Sequence, residues 1–312
     1  MYKVSPTLFC LVYFSLFAFS QQNVLKVELP ETKGLTLKEY AVIPESVSTE
    51  VSGIVKSRNY ANIFWILNDS SDEPRIIPIN HDGEVVGSYR TSEIVGQHIS
   101  EASNSDWEDI AMDDQGFIYI CDVGNNCNCR KDLVLYKIIE TDPGKRINKV
   151  FQKIFFRYPD QKDFPASRED FNFDSEGVFV ANGKLYILSK NRSNPYTTLY
   201  RLDDTNPFEI NTLTELQTFD IQGQVTAADA SQDGKQIAVL TYTGVWVFEA
   251  REEDRYFEGK IWWQPINNTF VDGRPQQQVE SICYDDAETL IIADELGGRL
   301  YKIKLDQLIS IQ

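Results

Sequence analysis

The stretch DWEDIAMDDQGFIYICDVGNN, residues 106–126, decides how this chain is read. Two runs rich in β-formers, 108–112 and 117–123, flank the turn signal Asp113-Asp114-Gln115-Gly116. The pattern predicts an antiparallel hairpin, which places the entrance of its first strand beside the exit of its second. Asp106, Glu108 and Asp109 stand at the entrance, and Asp122, Asn125 and Asn126 at the exit. One edge of one hairpin thus gathers oxygen donors.

The pattern recurs along the chain. A first unit reads as strands at 51–57, 63–69, 75–80 and 84–90. The second adds 133–139 and 149–158 to the opening hairpin. The third runs through 176–182, 184–190, 197–203 and 213–221, and the fourth through 225–231, 236–242, 244–250 and 259–265. The fifth has only 280–286, 289–295 and 299–305, and the isolated run 37–43 supplies its missing strand. A repeat that closes on itself in this way marks a β-propeller and leaves few open edges. The expected fold is all-β, a five-bladed β-propeller formed by a single domain at 37–312 behind a leader at 21–36. A six-bladed ring, with one blade in 142–174, is the alternative.

The 312 residues are 42% apolar and 12% aromatic, enough to fold around a large core. A net charge of -17 argues against nucleic acid and anionic membranes as partners. Residues 1–20 read as a signal peptide: Lys3, an apolar run at 8–19, then small residues at Ala18 and Ser20. The expectation is a secreted or periplasmic monomer with no membrane span after cleavage. Cys121 and Cys283, inside strands, read as buried thiols. Cys127 and Cys129 read as a small disulfide or as half of a metal site.

In a propeller the first strand of each blade lines the axis. Aligning the units sets Val51, Glu108, Glu176, Thr226 and Glu280 at the first-strand starts. Asn68 with Asp69, Asp122 with Asn125 and Asn126, Lys190 with Asn191, Tyr242, and Asp294 with Glu295 stand at the second-strand ends. Three glutamates facing one axis raise one another's pKa unless positive charge stands among them. Calcium, which takes about six to eight oxygen ligands, answers that need, and Lys190 is the competing counter-charge. The expected ligand-binding residues are Asn68, Asp69, Trp107, Asn125, Asn126, Lys190, Asn191 and Tyr242. Catalysis has thinner support, since the chain has two histidines and no phosphate-cradling loop or zinc motif. A base, if there is one, comes from Glu108, Asp109 or Glu176.

The runs SGIV, FWILNDS, SEGVFVANGKLYILSKN and VESICYDDAETLIIADE, with the opening stretch, resemble exported bacterial propellers of the phytase-like and NHL-like kind. Those proteins share an E-[S/G/D]-[I/V/A] strand followed by an LY-[I/V]-x-D strand, and the similarity covers residues 51–305. In the calcium-dependent hydrolases among them, Glu, Asn and Asp at blade-inner positions hold an axial calcium. The resemblance therefore implies Glu108, Glu176 and Glu280, with Asn68, Asp122 and Asp294, as metal ligands. Three functions stand as expectations. One is a calcium-bearing binder of a small-molecule or polymer ligand. Another is a calcium-dependent hydrolase of an ester, lactone or phosphoester. The third is a metal-free protein-interaction scaffold.

Overall fold

A computed structural model describes residues 23–70, 72–87, 95–267, 270–271 and 274–311. The signal expected at 1–20 and the end of the strand expected at 84–90 lie outside them. Apart from three short 3-10 turns, every regular element among these residues is a strand. No helix among them is long and apolar enough to cross a membrane.

Two short strands lead, β1 (Val24–Leu25) and β2 (Glu39–Val42). Unit one holds β3 (Val51–Lys56), β4 (Phe64–Asn68), β5 (Arg75–Ile79) and β6 (Gln97–Ser100). Unit two holds β7 (Trp107–Met112), β8 (Phe117–Asp122), β9 (Val134–Ile139) and β10 (Ile147–Arg157). Unit three holds β11 (Ser175–Ala181), β12 (Lys184–Ser189), β13 (Tyr196–Leu202), the short β14 (Asn211–Thr212) and β15 (Thr214–Asp220). Unit four holds β16 (Val225–Ala230), β17 (Gln236–Thr241), β18 (Gly244–Glu249) and β19 (Lys260–Pro265). A small hairpin of β20 (Phe270–Val271) and β21 (Arg274–Pro275) precedes unit five: β22 (Val279–Tyr284), β23 (Thr289–Asp294) and β24 (Arg299–Lys304). The strand β25 (Ile309–Ser310) ends the chain on β19.

Within each unit the main strands pair antiparallel with the first strand at one edge, while β14 pairs parallel with β10 and a parallel β6–β10 contact joins units one and two in one sheet. Those five first strands, β3, β7, β11, β16 and β22, pack against one another in sequence order, and β22 returns to β3. The expected closure is present: β2 pairs antiparallel with β24 and completes unit five. The units thus surround a common axis in a propeller-like, all-β arrangement.

The core explains the closure. Five apolar clusters form, each between two neighbouring units, and the last joins Ile291 and Ala293 of unit five to Ile54 and Ile66 of unit one. β7 (WEDIAM), β16 (VTAADA) and β22 (VESICY) are buried at every position, combining β-formers with small and acidic residues at the crowded axis. Each large apolar side chain among them contributes about 1.5–3 kcal/mol on burial. Aromatic rings gather in the cluster shared by units three and four, where Phe179 stacks on Tyr186 and Trp246 on Phe248.

One strand differs from the sequence reading. The fourth strand of unit one is β6, at Gln97–Ser100, and not the run at 84–90. Residues after β5 turn back at once: Gly83 takes a φ of 77°, and Val85 makes a single bridge to Ile79. Pro78 has no N–H to offer a longer ladder, and its carbonyl accepts from Val86.

Candidate functional site

The same irregularity occurs at the start of every inner strand. The register against the second strand shifts between Val51 and Gly53, Trp107 and Asp109, Ser175 and Gly177, Val225 and Ala227, and Val279 and Ser281. Each shift leaves one residue unpaired, as a β-bulge does. The five bulged residues are Ser52, Glu108, Glu176, Thr226 and Glu280. This corrects the sequence alignment in unit one, where Val51 pairs with Asn68 and Ser52 is the true counterpart. Ser52 and Thr226 spend their hydroxyls on the next unit, donating to the carbonyls of Trp107 (2.7 Å) and Val279 (3.0 Å). At the other three bulges the side chain is a glutamate.

Around them the loops add more. Asp69, Asp106 and Glu108 each offer a carboxylate oxygen within 4.8 Å of the others. Asp69 follows β4, Asp106 precedes β7, and Glu108 is the bulge. Gly124 makes room for this group, since a Cβ there would overlap Glu108 Oε1 and the Asp106 carboxylate. Among the described residues no donor makes a hydrogen bond to Glu108. Burial, and then the charges of Glu176, Asp69 and Asp106, push its carboxyl well above the usual range. Burial first, and the Asp69 charge next, raise Asp106 to about 7. Asp69 is also raised, by burial and Glu50.

Beside this cluster runs a bonded chain. Lys190 pairs with Glu176 Oε1 and donates to Tyr242 Oη at 2.9 Å. Tyr242 donates to Glu280 Oε1, also at 2.9 Å. Gln278 donates to Glu280 at 2.9 Å and to Glu295. Burial and the Glu280 charge lift the Glu295 carboxyl to about 8. Glu176 is 4% exposed, and its Oε2 has no partner. Arg192 binds Asp174 at 2.6 Å and stands 3.9 Å from Glu176.

The structure therefore brings Asp69, Glu108, Glu176, Glu280, Lys190 and Tyr242 together and leaves other expected residues out. Asp122 is ion-paired with Arg130 at 2.8 Å and accepts from the Ser105 and Asp106 amides. Asp294 is held by Arg299 at 2.9 Å and by the Tyr301 hydroxyl at 3.0 Å. Asn68 binds the Val47 carbonyl and Asp72. These three occupy the last paired position of the second strand, so they face their own unit. The residue after each faces the other way, toward the cluster in the case of Asp69.

Asp109, expected as a base, is fully enclosed and bonded to backbone amides instead. Trp107 is completely buried, with its Nε1 on the Ser103 carbonyl, so it offers no ligand platform. Asn125 is an organiser of its loop, accepting from the Cys129 and Arg130 amides and donating to the Phe173 carbonyl. Asn126 stays exposed and meets Arg192. Asn191 is buried against Ser189 and Asn194. Cys127 and Cys129 form a disulfide, and Cys121 and Cys283 are buried thiols.

Sequence reasoning set Asp106 at the hairpin entrance and Glu295 at a second-strand end without assigning either to the site, and it did not single out Gly124. A signal existed for the first. Asp106-x-Glu108 and Asp174-x-Glu176 share a spacing, and Gln278-x-Glu280 varies it.

No protein-family profile matches the chain, and no curated protein matches it. Among solved structures the chain is similar to a gluconolactonase from Xanthomonas campestris, with a TM-score of 0.45 and 12% identity over 90% of this chain and 99% of that one. It is also similar to hydrazine synthase from Kuenenia stuttgartiensis, with a TM-score of 0.40 and 12% identity over 82% of this chain and 65% of the other.

Proposed function

We propose that this chain is an exported five-bladed β-propeller, one domain over residues 37–312, that holds a calcium ion at Asp69, Asp106 and Glu108 and binds an oxygen-rich ligand beside it. The observation that carries this reading is the convergence of those three carboxylates, with no donor on Glu108 and a glycine opposite. Gathering partly desolvated carboxylates without a cation is costly, and a hard ion with oxygen preference offsets that cost. Glu176 and Glu280 flank the ion site and are tied down by Lys190 and Tyr242. The Cys127–Cys129 disulfide supports export, because oxidising compartments preserve such bonds.

A hydrolase reading of the same site is favoured by one observation, the buried and unpartnered Glu176 Oε2. A calcium ion there would polarise a carbonyl or phosphoryl oxygen. Glu176 would accept a proton while Lys190 fixes its orientation.

Thermal unfolding of the chain from Gln21, in EDTA and then in millimolar calcium, tests the proposal. The expected result is a rise in Tm of several degrees that Glu108→Gln abolishes. No shift would sink the calcium reading and leave a metal-free interaction scaffold. For the hydrolase, a screen of lactones, esters and phosphoesters is expected to show turnover that Glu176→Gln removes while calcium binding persists.

A further inference from the structure

Among the described residues seven large apolar side chains stand exposed, and five of them belong to one stretch of rim between units two and three. Ile139 ends β9, Ile147 and Phe151 lie on the first half of β10, and Phe208 and Ile210 sit on the loop from β13 to β14. Phe208 is 92% exposed, Ile147 66% and Phe151 60%. The loop is fastened to β10. Gln152 donates to the Thr205 carbonyl, Asn211 donates to the Phe155 carbonyl at 2.9 Å, and β14 pairs with β10 at Phe156 and Arg157. Phe151 meets Phe117 with ring centroids 5.3 Å apart, and Phe117 lies opposite Ile139 on the ladder. Within the loop Asn206 accepts from the Phe208 amide at 3.0 Å, and the Asn206 amide donates to Asn211 at 3.1 Å. A bonded loop thus holds a phenyl ring out in water beside other exposed apolar groups, and such a gathering marks a contact surface.

The charges along this rim are divided. Lys137, Lys145, Arg146 and Lys149 stand at the β9 and β10 end, against Glu101 and Asp142. Asp203, Asp204 and Glu209 stand on the loop, against Arg157 and Arg201. One half is therefore net positive and the other net negative, in a chain whose total is -17. A partner of a single sign, an anionic membrane included, meets repulsion on one half. A second copy turned about a twofold axis does not, because it lays each negative loop on a positive strand end. The apolar side chains of the two copies then cover one another, flanked by paired charge, as interfaces are built. We infer that the chain forms a twofold dimer through this rim, with the 203–210 loop of each copy lying across the 145–151 strand end of the other. This replaces the monomer expected from the sequence.

Sedimentation velocity of the chain from Gln21, across a concentration series, tests the dimer. A species of twice the monomer mass is expected to grow with concentration. Phe208→Asp should raise its dissociation constant at least about tenfold. That side chain lies almost wholly in solvent, so the fold of each copy does not depend on it. Two charge variants fix the arrangement: Asp204→Lys with Glu209→Lys, and Lys145→Glu with Lys149→Glu. Each alone sets like charges against each other and should stay monomeric. An equimolar mixture should restore the dimer, since every loop then meets a strand end of opposite sign. The inference is overturned if the parent chain is monomeric throughout, if the dimer survives Phe208→Asp at full strength, if either charge variant dimerises alone as tightly as the parent, or if the two variants mix without associating.

Discussion

Asp109 Oδ2 accepts a 2.8 Å hydrogen bond from the amide of Val178, a residue of the neighbouring unit. Its other oxygen takes the Ile110 amide at 2.8 Å, and the Ala228 amide of a third unit approaches Oδ2 at 3.4 Å. One buried carboxylate thus ties three inner strands at the axis. Asp109→Ala leaves these amides without an acceptor and should cost about 2–4 kcal/mol. Urea denaturation checks this: the midpoint should fall with an unchanged m-value, and calcium should still raise Tm.

Gly124 sets the room available to Glu108 and Asp106. Gly124→Ala should push both carboxylates aside and weaken calcium binding by at least about tenfold, a loss of roughly 1.4 kcal/mol or more. Calorimetric titration with calcium reads the change directly. Unaltered affinity would mean that the cation, if bound, sits elsewhere.

Lys190 is the direct cationic partner of the buried Glu176. Lys190→Met strands that carboxylate, with Arg192 no nearer than 3.9 Å, and should destabilise by about 3–5 kcal/mol. The double variant Lys190→Met with Glu176→Gln removes the stranded charge. It should recover much of the loss, which a double-mutant cycle measures.

Burial raises Asp106 to about 7 and Asp229 to about 6. In each case the folded state keeps a proton that the unfolded chain has released. Stability in EDTA should therefore be greatest near the unfolded carboxyl range and fall as pH rises toward 7. Each pH unit with one extra bound proton in the native state costs about 1.4 kcal/mol. Tm measured from pH 5 to pH 8 should slope downward in EDTA. Calcium should flatten the slope, because a bound cation favours the charged carboxylates. A Tm that rises over this range in EDTA would contradict the picture.

Much of the architecture was legible because strands are local. Runs such as YICDV and VWVF carry β-formers, and the turns between them carry Gly, Asn and Asp, so each hairpin announces itself within a few residues. The closing role of 37–43 followed from counting strands. What could not be read was register. A bulge shows only in hydrogen-bond pairing, and one unpaired residue reverses which side chain meets the axis. That is why Val51 stood where Ser52 belongs, and why Asp122 and Asp294 were expected at the metal while Asp106 was not. The arginines that hold the two misplaced aspartates, Arg130 and Arg299, lie in the next loop or strand, and nothing local pairs them.

The N-terminal segment threads the outer edges of three consecutive units. β1 lies parallel on β15, Leu35 bridges Ile266, and β2 completes the sheet at β24. The far end also finishes on an outer edge, where β25 pairs with β19. Both ends of the described chain therefore emerge at the rim, away from either mouth of the ring. A tether or fusion partner joined ahead of residue 23 would hold the molecule edge-on, like a coin clipped at its milling. Both openings would stay exposed, so immobilised protein should bind ligands at either face as freely as protein in solution.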